Sequence, residues 1–179
     1  MDKSNWSYEL MNLVFLLALL ASPAVAAEQN IEPYNVWVQK ANIPDSAKEV
    51  FTKKKLSEKY DFSFHINPFY LRGDFNGDKR NDVAVLIKEK KSGKLGIAIC
   101  HYGKNEVFVV GAGNAVGNGG ADFKWMDVWF VYPKGKVQSP EELAPLQLIG
   151  EGLFVEKGDS ASGLIYWDGK KYTWYQMSD

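Results

Sequence analysis

The chain has 179 residues, of which 46% are hydrophobic, 24% charged and 14% aromatic, with a formal net charge of −1. That length and apolar content suit one domain with a buried core, and they exclude a disordered chain, a barrel enzyme or an array of tandem repeats. The near-zero charge leaves no footprint for nucleic acid, whose phosphates demand a basic surface.

The chain opens with an apolar run from Leu10 to Ala21, interrupted only by Asn12. Ser22, Pro23 and the small residues Ala24-Val25-Ala26-Ala27 follow. An apolar segment, a helix breaker and A-x-A spacing predict a secretory signal over residues 1–27 and a mature domain over 28–179. The run is shorter than the roughly 20 continuous apolar residues of a spanning helix, so no stable membrane anchor is expected after cleavage. The leading segment carries Asp2 and Glu9 beside Lys3, which leaves Met1 and Met11 as alternative starts. Removing residues 1–27 makes the remainder neutral. The expected location is the periplasm or the exterior.

From Pro44 to about Tyr60 the pattern is helical. Ser46 and Glu49 have capping-box spacing, and Ala47, Val50 and Phe51 share an apolar face. After Tyr60 the segments are short, β-branched or aromatic, and bounded by turn residues. The apolar run Asp82–Ile87 predicts a central strand. Turns at Lys90–Gly93 and Gly103–Asn105 lead into strands over Leu95–His101 and Glu106–Val110, an antiparallel meander. Gly152–Glu156, Gly163–Trp167 and Lys171–Gln176 read as strands, the last two joined at Asp168-Gly169. The expected fold is α+β in a single domain: an N-terminal helix packed on an antiparallel sheet body, with a meander and a C-terminal hairpin.

The chemistry concentrates at residues 73–86, GDFNGDKRNDVAVL. Side-chain oxygens recur at Asp74, Asn76, Asp78 and Asp82, the first, third, fifth and ninth positions of a loop. A hard cation such as Ca²⁺ takes about six to eight oxygens, and this alternation folds successive carboxylates inward; the Arg80 carbonyl supplies another. An EF-hand would close with a glutamate at the twelfth position, where Val85 stands, so the loop is expected between two strands, with Asp82 closing it. The sixth position is Lys79, where a left-handed turn favours glycine. Lys79 and Arg80 also offset two of the three carboxylate charges. The expected affinity is weak, with Kd on the order of 10⁻⁴ to 10⁻³ M. The alternative is a plain turn, in which Asp and Asn side chains bond their own backbone.

These residues resemble the calcium loop of FG-GAP or VCBS-type repeats of integrin-alpha-like propellers, over roughly residues 70–88. In those repeats a D-x-N/D-x-D-G-x-x-D hairpin loop opens onto an apolar strand and binds Ca²⁺. The resemblance implies a metal site at Asp74, Asn76, Asp78, Arg80 and Asp82. It does not extend to a whole propeller, and the chain as a whole resembles small exported bacterial proteins.

Other features carry weaker signals. The glycine-rich stretch Gly111–Gly120 lacks the βαβ context of a phosphate loop and reads as a flexible surface loop. In Asp122–Tyr132, Trp125, Asp127 and Trp129 share one face of an expected strand, and the Trp face is a candidate partner-binding surface. Cys100 is expected to be an inert buried thiol, facing away from its neighbour His101. His65 and His101 lack metal-ligand spacing. Ser162–Tyr166 (SGLIY) resembles the S-G-x-x-Y signature of periplasmic lysozyme inhibitors, which implies that Ser162 and Tyr166 enter an enzyme's cleft.

The expected function is a non-enzymatic exported binding module with a structural calcium loop and an unidentified protein or envelope partner. One alternative is an inhibitor or immunity protein against a cell-wall hydrolase or toxin. The other is a hydrolase using Asp74, Asp78 or His65.

Overall fold

The computed structural model describes residues 33–140, 144–158 and 160–179, so the signal-sequence reading of residues 1–27 lies outside the described residues. Two helices open the described chain, α1 over Tyr34–Ala41 and α2 over Asp45–Lys53. Each follows a proline, whose ring fixes φ and whose carbonyl accepts the first helical N–H groups; Val36 N donates to Pro33 O and Ala47 N to Pro44 O. The expected Ser46–Glu49 capping box does not form, because Pro44 takes the cap position and Ser46 lies inside the first turn. α2 also stops well short of Tyr60. Lys55 turns left-handed at φ 54°, a 3₁₀ turn covers Leu56–Glu58, and Tyr60 is already paired into a sheet. No described helix is long and apolar enough to cross a membrane.

The body is two antiparallel sheets. The first holds β1 (Tyr60–Phe62), β2 (Tyr70–Gly73), β3 (Asp82–Glu89), β4 (Leu95–His101) and β5 (Glu106–Gly111). β3, β4 and β5 form the meander, while β1 and β2 lie end to end along the free edge of β3. The second sheet runs β11-β10-β9-β6, from β6 (Val128–Tyr132), β9 (Gly152–Lys157), β10 (Ala161–Trp167) and β11 (Tyr172–Ser178). A short pair, β7 (Lys136–Val137) with β8 (Leu146–Gln147), stands apart. Residues 33–179 thus make one β-rich α+β unit.

Strand alternation sorts the side chains of the first sheet to two cores. Ala84, Leu86, Ile97 and Ile99 face the second sheet and pack with Trp129, Leu153, Val155 and Ile165. Val83, Val85, Ile87, Ala98 and Cys100 face the helices and pack with Ile43, Ala47, Val50 and Phe51. A satellite core of Val137, Leu148, Leu164 and Tyr175 joins the short pair to the outer face of the second sheet.

Two expectations near the glycine-rich stretch are corrected. The segment Asp122–Tyr132 is not one strand: Phe123–Trp125 is a 3₁₀ turn and β6 begins at Val128. Burial of both Phe123 and Met126 breaks the two-residue alternation a strand would need. The Gly111–Gly120 stretch is not a free surface loop either, since Ala112 and Val116 are buried in it. Its glycines let the backbone reach the Trp174 indole. A Cβ on Gly117, which also has φ +46°, would lie 2.4 Å from Trp174 Cβ. A Cβ on Gly163 of β10 would lie 1.9 Å from Trp174 Cζ2. A rigid ring cannot yield that distance without displacing the loop. Gly163→Ala is therefore expected to destabilise the fold by about 1–3 kcal/mol, the usual range for overpacking. Denaturant unfolding followed by Trp fluorescence checks this.

Candidate functional site

The loop of residues 74–81 joins the paired ends of β2 and β3, where Gly73 stands opposite Asp82. It therefore lies between two strands, as its spacing predicts. Phe75 anchors it by inserting a fully buried ring into the core between the sheets. The polar side chains around Phe75 then arrange the backbone. Asn76 Oδ1 accepts from Asp78 N at 2.9 Å, and Asp78 Oδ1 accepts from Arg80 N at 3.0 Å. Asp74 Oδ2 reaches across to accept from Lys79 N at 3.0 Å. These are the local side-chain-to-backbone bonds that Asp and Asn favour in turns. Lys79 has φ 68° and Gly77 φ 81°, so the sixth position is left-handed despite its Cβ.

Asp82 closes the loop. Its carboxylate is fully buried; Oδ2 accepts from Phe75 N at 3.1 Å and Oδ1 from Tyr102 N at 2.8 Å. One side chain thus joins the start of its own loop to the turn after β4. On the other flank, Glu151 Oε2 accepts from Asp74 N and Glu151 N donates to Asp74 O, both at 2.7 Å. Sequence reasoning misses Glu151, Tyr102 and Lys104, whose ammonium lies 3.1 Å from Asp78 Oδ2. The only local signal at Glu151 is its position between two glycines.

The loop's electrostatics are uneven. Burial, with the nearby charges of Asp78 and Asp74, pushes Asp82 up to about 6 against the opposing bond from Tyr102 N. Burial acts the same way on Asp78, but the Lys104 ammonium and the Arg80 N–H outweigh it and hold that carboxyl below its ordinary value. Asp74 Oδ1 is enclosed and has no hydrogen-bond partner among the described residues. Among the described residues, no three His, Cys, Asp or Glu side chains form a metal-ligating cluster. The oxygen set of the loop is mixed instead, with one amide among the carboxylates.

The remaining expected site residues separate. Trp125 and Ser162 line one open groove of about 310 Å³, together with Trp174 and Gln176. Trp129 does not join them, since its ring is buried between the sheets and its Nε1 donates to Pro68 O at 2.7 Å. Ser162 and Tyr166 lie within β10 rather than on a protruding loop. Ser162 is buried with its hydroxyl 2.7 Å from that of Ser178, and Tyr166 packs against the satellite core. His65 sits in a bend; its Nδ1 is 2.8 Å from Ser63 Oγ, and burial lowers its pKa.

Cys100 and His101 do face opposite cores. Burial, aided by the nearby Asp82 charge, raises the Cys100 thiol to about 12, which keeps it inert. His101 Nε2 is 2.8 Å from the Tyr172 hydroxyl, and burial favours the neutral ring despite Glu106, whose Oε2 lies 3.4 Å from Nδ1.

Compared with protein-family models, curated proteins and solved structures, the chain gives no significant match.

The raised pKa of Asp82 fixes a pH dependence. An unfolded aspartate titrates near 3.9, so between about pH 4 and 6 the folded chain holds a proton that the unfolded chain has lost. The contribution of Asp82 to stability is therefore expected to fall as pH rises through that window, by up to about 3 kcal/mol in chelator, while the lowered His65 and His101 act in the opposite sense at its upper end. Asp82→Asn, which cannot ionise, should flatten that slope in denaturant titrations at stepped pH.

Proposed function

We propose that this chain is an exported binding module whose Asp74–Asp82 loop takes Ca²⁺ as a structural ion. The observation that carries the reading is Asp74 Oδ1, a carboxylate oxygen enclosed by protein with nothing to bond. A buried polar atom left unsatisfied costs about 1–3 kcal/mol, and more when charged. A cation beside it would remove that cost and relieve the mutual repulsion of Asp74, Asp78 and Asp82.

The donor chemistry fits a hard cation. Asp74, Asn76, Asp78 and Asp82 offer side-chain oxygens on one hairpin loop, and the Arg80 carbonyl completes the expected set. Resemblance to the FG-GAP and VCBS loops supports the same assignment. Lys79 already holds the left-handed conformation that the sixth position requires, and its own side chain is exposed. Lys104 on Asp78 and the buried hydrogen bonds of Asp82 keep the site weak, as extracellular modules commonly are.

The ion's part is mechanical. The loop bonds to Glu151 just before β9 of the second sheet and to Tyr102 after β4 of the first, so stiffening the loop stiffens the joint between sheets. Binding of a partner would fall to the Trp125 groove, where two indoles meet edge to face with centroids 6.2 Å apart. The periplasm or the exterior is the matching location, since a site this weak fills only where calcium is abundant.

Thermal melts of the full chain in 10 mM calcium and in chelator test the assignment. With Kd between about 10⁻⁴ and 10⁻³ M, mass action adds about 1.4–2.7 kcal/mol, which raises Tm by roughly 3–10 °C. Asp74→Asn keeps an acceptor for Lys79 N but removes the charge, and should abolish the shift. A wild-type Tm indifferent to calcium, or an equal shift in Asp74→Asn, removes the site.

A further inference from the structure

We propose that the cleft where β2, the 74–81 loop and the first turn of α2 meet binds a phosphate monoester, the phosphate group of a small soluble molecule. Arg72, Arg80, Ser46, Asn81, Val83 and Tyr102 line a cavity of about 260 Å³ there. It adjoins a second cavity of about 290 Å³ that shares four of those residues and runs along α2 beneath Glu49 and Lys53. Together they reach the size of a small-ligand site, with space for more than the phosphate itself.

Charge singles out this cleft. Glu49, which lines the second cavity, is matched by Lys53 at 3.3 Å, and the carboxylates next along the chain are matched too, Asp45 by Lys48 at 3.3 Å and Asp78 by Lys104 at 3.1 Å. Neither Arg72 nor Arg80 has a carboxylate within ion-pair distance among the described residues. Packing positions them instead. The Arg72 guanidinium lies 5.9 Å from the centroid of the Tyr70 ring. Arg80 Nη1 rests against Gly103, where a Cβ would lie 2.9 Å away. Two unpaired guanidiniums facing one cavity form an anion site, and their forks match the oxygens of a phosphate.

The polar neighbours are equally uncommitted. Among the described residues the side chains of Ser46, Asn81 and Tyr102 have no hydrogen-bond partner, and Tyr102 is 54% exposed. Ser46 stands in the first turn of α2, where unbonded N–H groups add partial positive charge. The Trp125 groove is the opposite case. There Gln176 Oε1 already accepts from Asn118 and Trp174, and Gln176 Nε2 donates to Ser178 O and Asp179. The number of free donors in the cleft favours a tetrahedral dianion over a planar carboxylate. None of these donors is a proposed calcium ligand side chain, so the inference stands apart from the calcium reading.

Calorimetric titration of the full chain at pH 7.5 and fixed ionic strength tests the inference, with EDTA present to prevent calcium phosphate formation. The probes are inorganic phosphate, glycerol 3-phosphate and acetate. Both phosphates should saturate with millimolar Kd, and acetate should bind at least tenfold more weakly. Arg72→Gln and Arg80→Gln, both at exposed side chains, should each weaken phosphate at least tenfold with Tm unchanged, whereas Lys157→Gln in the Trp125 groove should leave it unaltered. The inference is overturned if phosphate fails to saturate, if acetate matches it, or if the arginine variants bind like the unaltered chain. Saturation by inorganic phosphate with glycerol 3-phosphate excluded would overturn the monoester assignment.

Discussion

The buried carboxylate of Asp82 is the constraint on which the 74–81 loop and its surroundings depend. It begins β3, is closed off from solvent, and holds two backbone N–H groups far apart in sequence, those of Phe75 and Tyr102. The first bond folds the 74–81 loop back over the core. The second ties that loop to the turn between β4 and β5. A charge in such a place is costly unless its oxygens are bonded, and the strain appears as a pKa pushed well above the carboxylate norm. Asp74 and Asp78 add repulsion on the same side. The loop is thus held in shape by hydrogen bonds and pushed apart by charge, a balance that a divalent cation would tip.

Two features keep that balance from disturbing the rest of the fold. Phe75 is sunk into the core between the sheets, so the loop cannot swing away without exposing an aromatic ring. At the opposite end, the Trp174 indole fills the space left by glycines at 117, 119 and 163, which locks the long connection after β5 onto β11. The connection's backbone follows a tryptophan rather than a ligand. A glycine-rich loop need not cradle a phosphate; here the groups suited to an oxyanion stand elsewhere, on β2 and in the 74–82 region.

Much of this fold is legible in the sequence where the determinants are local. The meander follows from apolar runs separated by Lys-Ser-Gly and Gly-Lys-Asn turns, and the final hairpin from Asp168-Gly169; both signals act within a few residues. The alternating oxygens of the 74–82 loop likewise act at short range, and the hairpin position they imply is the one occupied. Errors arise where tertiary contacts override the local pattern. α2 ends early because Tyr60 is claimed by β3, a demand invisible from the helical run itself. Trp125 and Trp129 look like strand neighbours, yet the buried Phe123 and Met126 force a 3₁₀ turn between the glycine-rich connection and β6. α1 escapes notice because none of its residues is buried, which leaves little apolar periodicity to read. Glu151 and Tyr102 could not be assigned to the loop's surroundings, because the approach of the second sheet brings the first there and the pairing of β3 with β4 brings the second.

A calcium titration of the ¹⁵N-labelled chain, read amide by amide, tests whether the 74–82 loop takes the ion. Saturable shifts are expected, concentrated at Gly77, Lys79, Arg80 and Asn81 and extending to Tyr102 through Asp82. Amides of Glu156, Lys157 and Ala161, at the ends of β9 and β10 remote from Glu151, should hold still. Shifts scattered in proportion to surface carboxylates, or a loop whose amides never move, would contradict calcium binding by the loop.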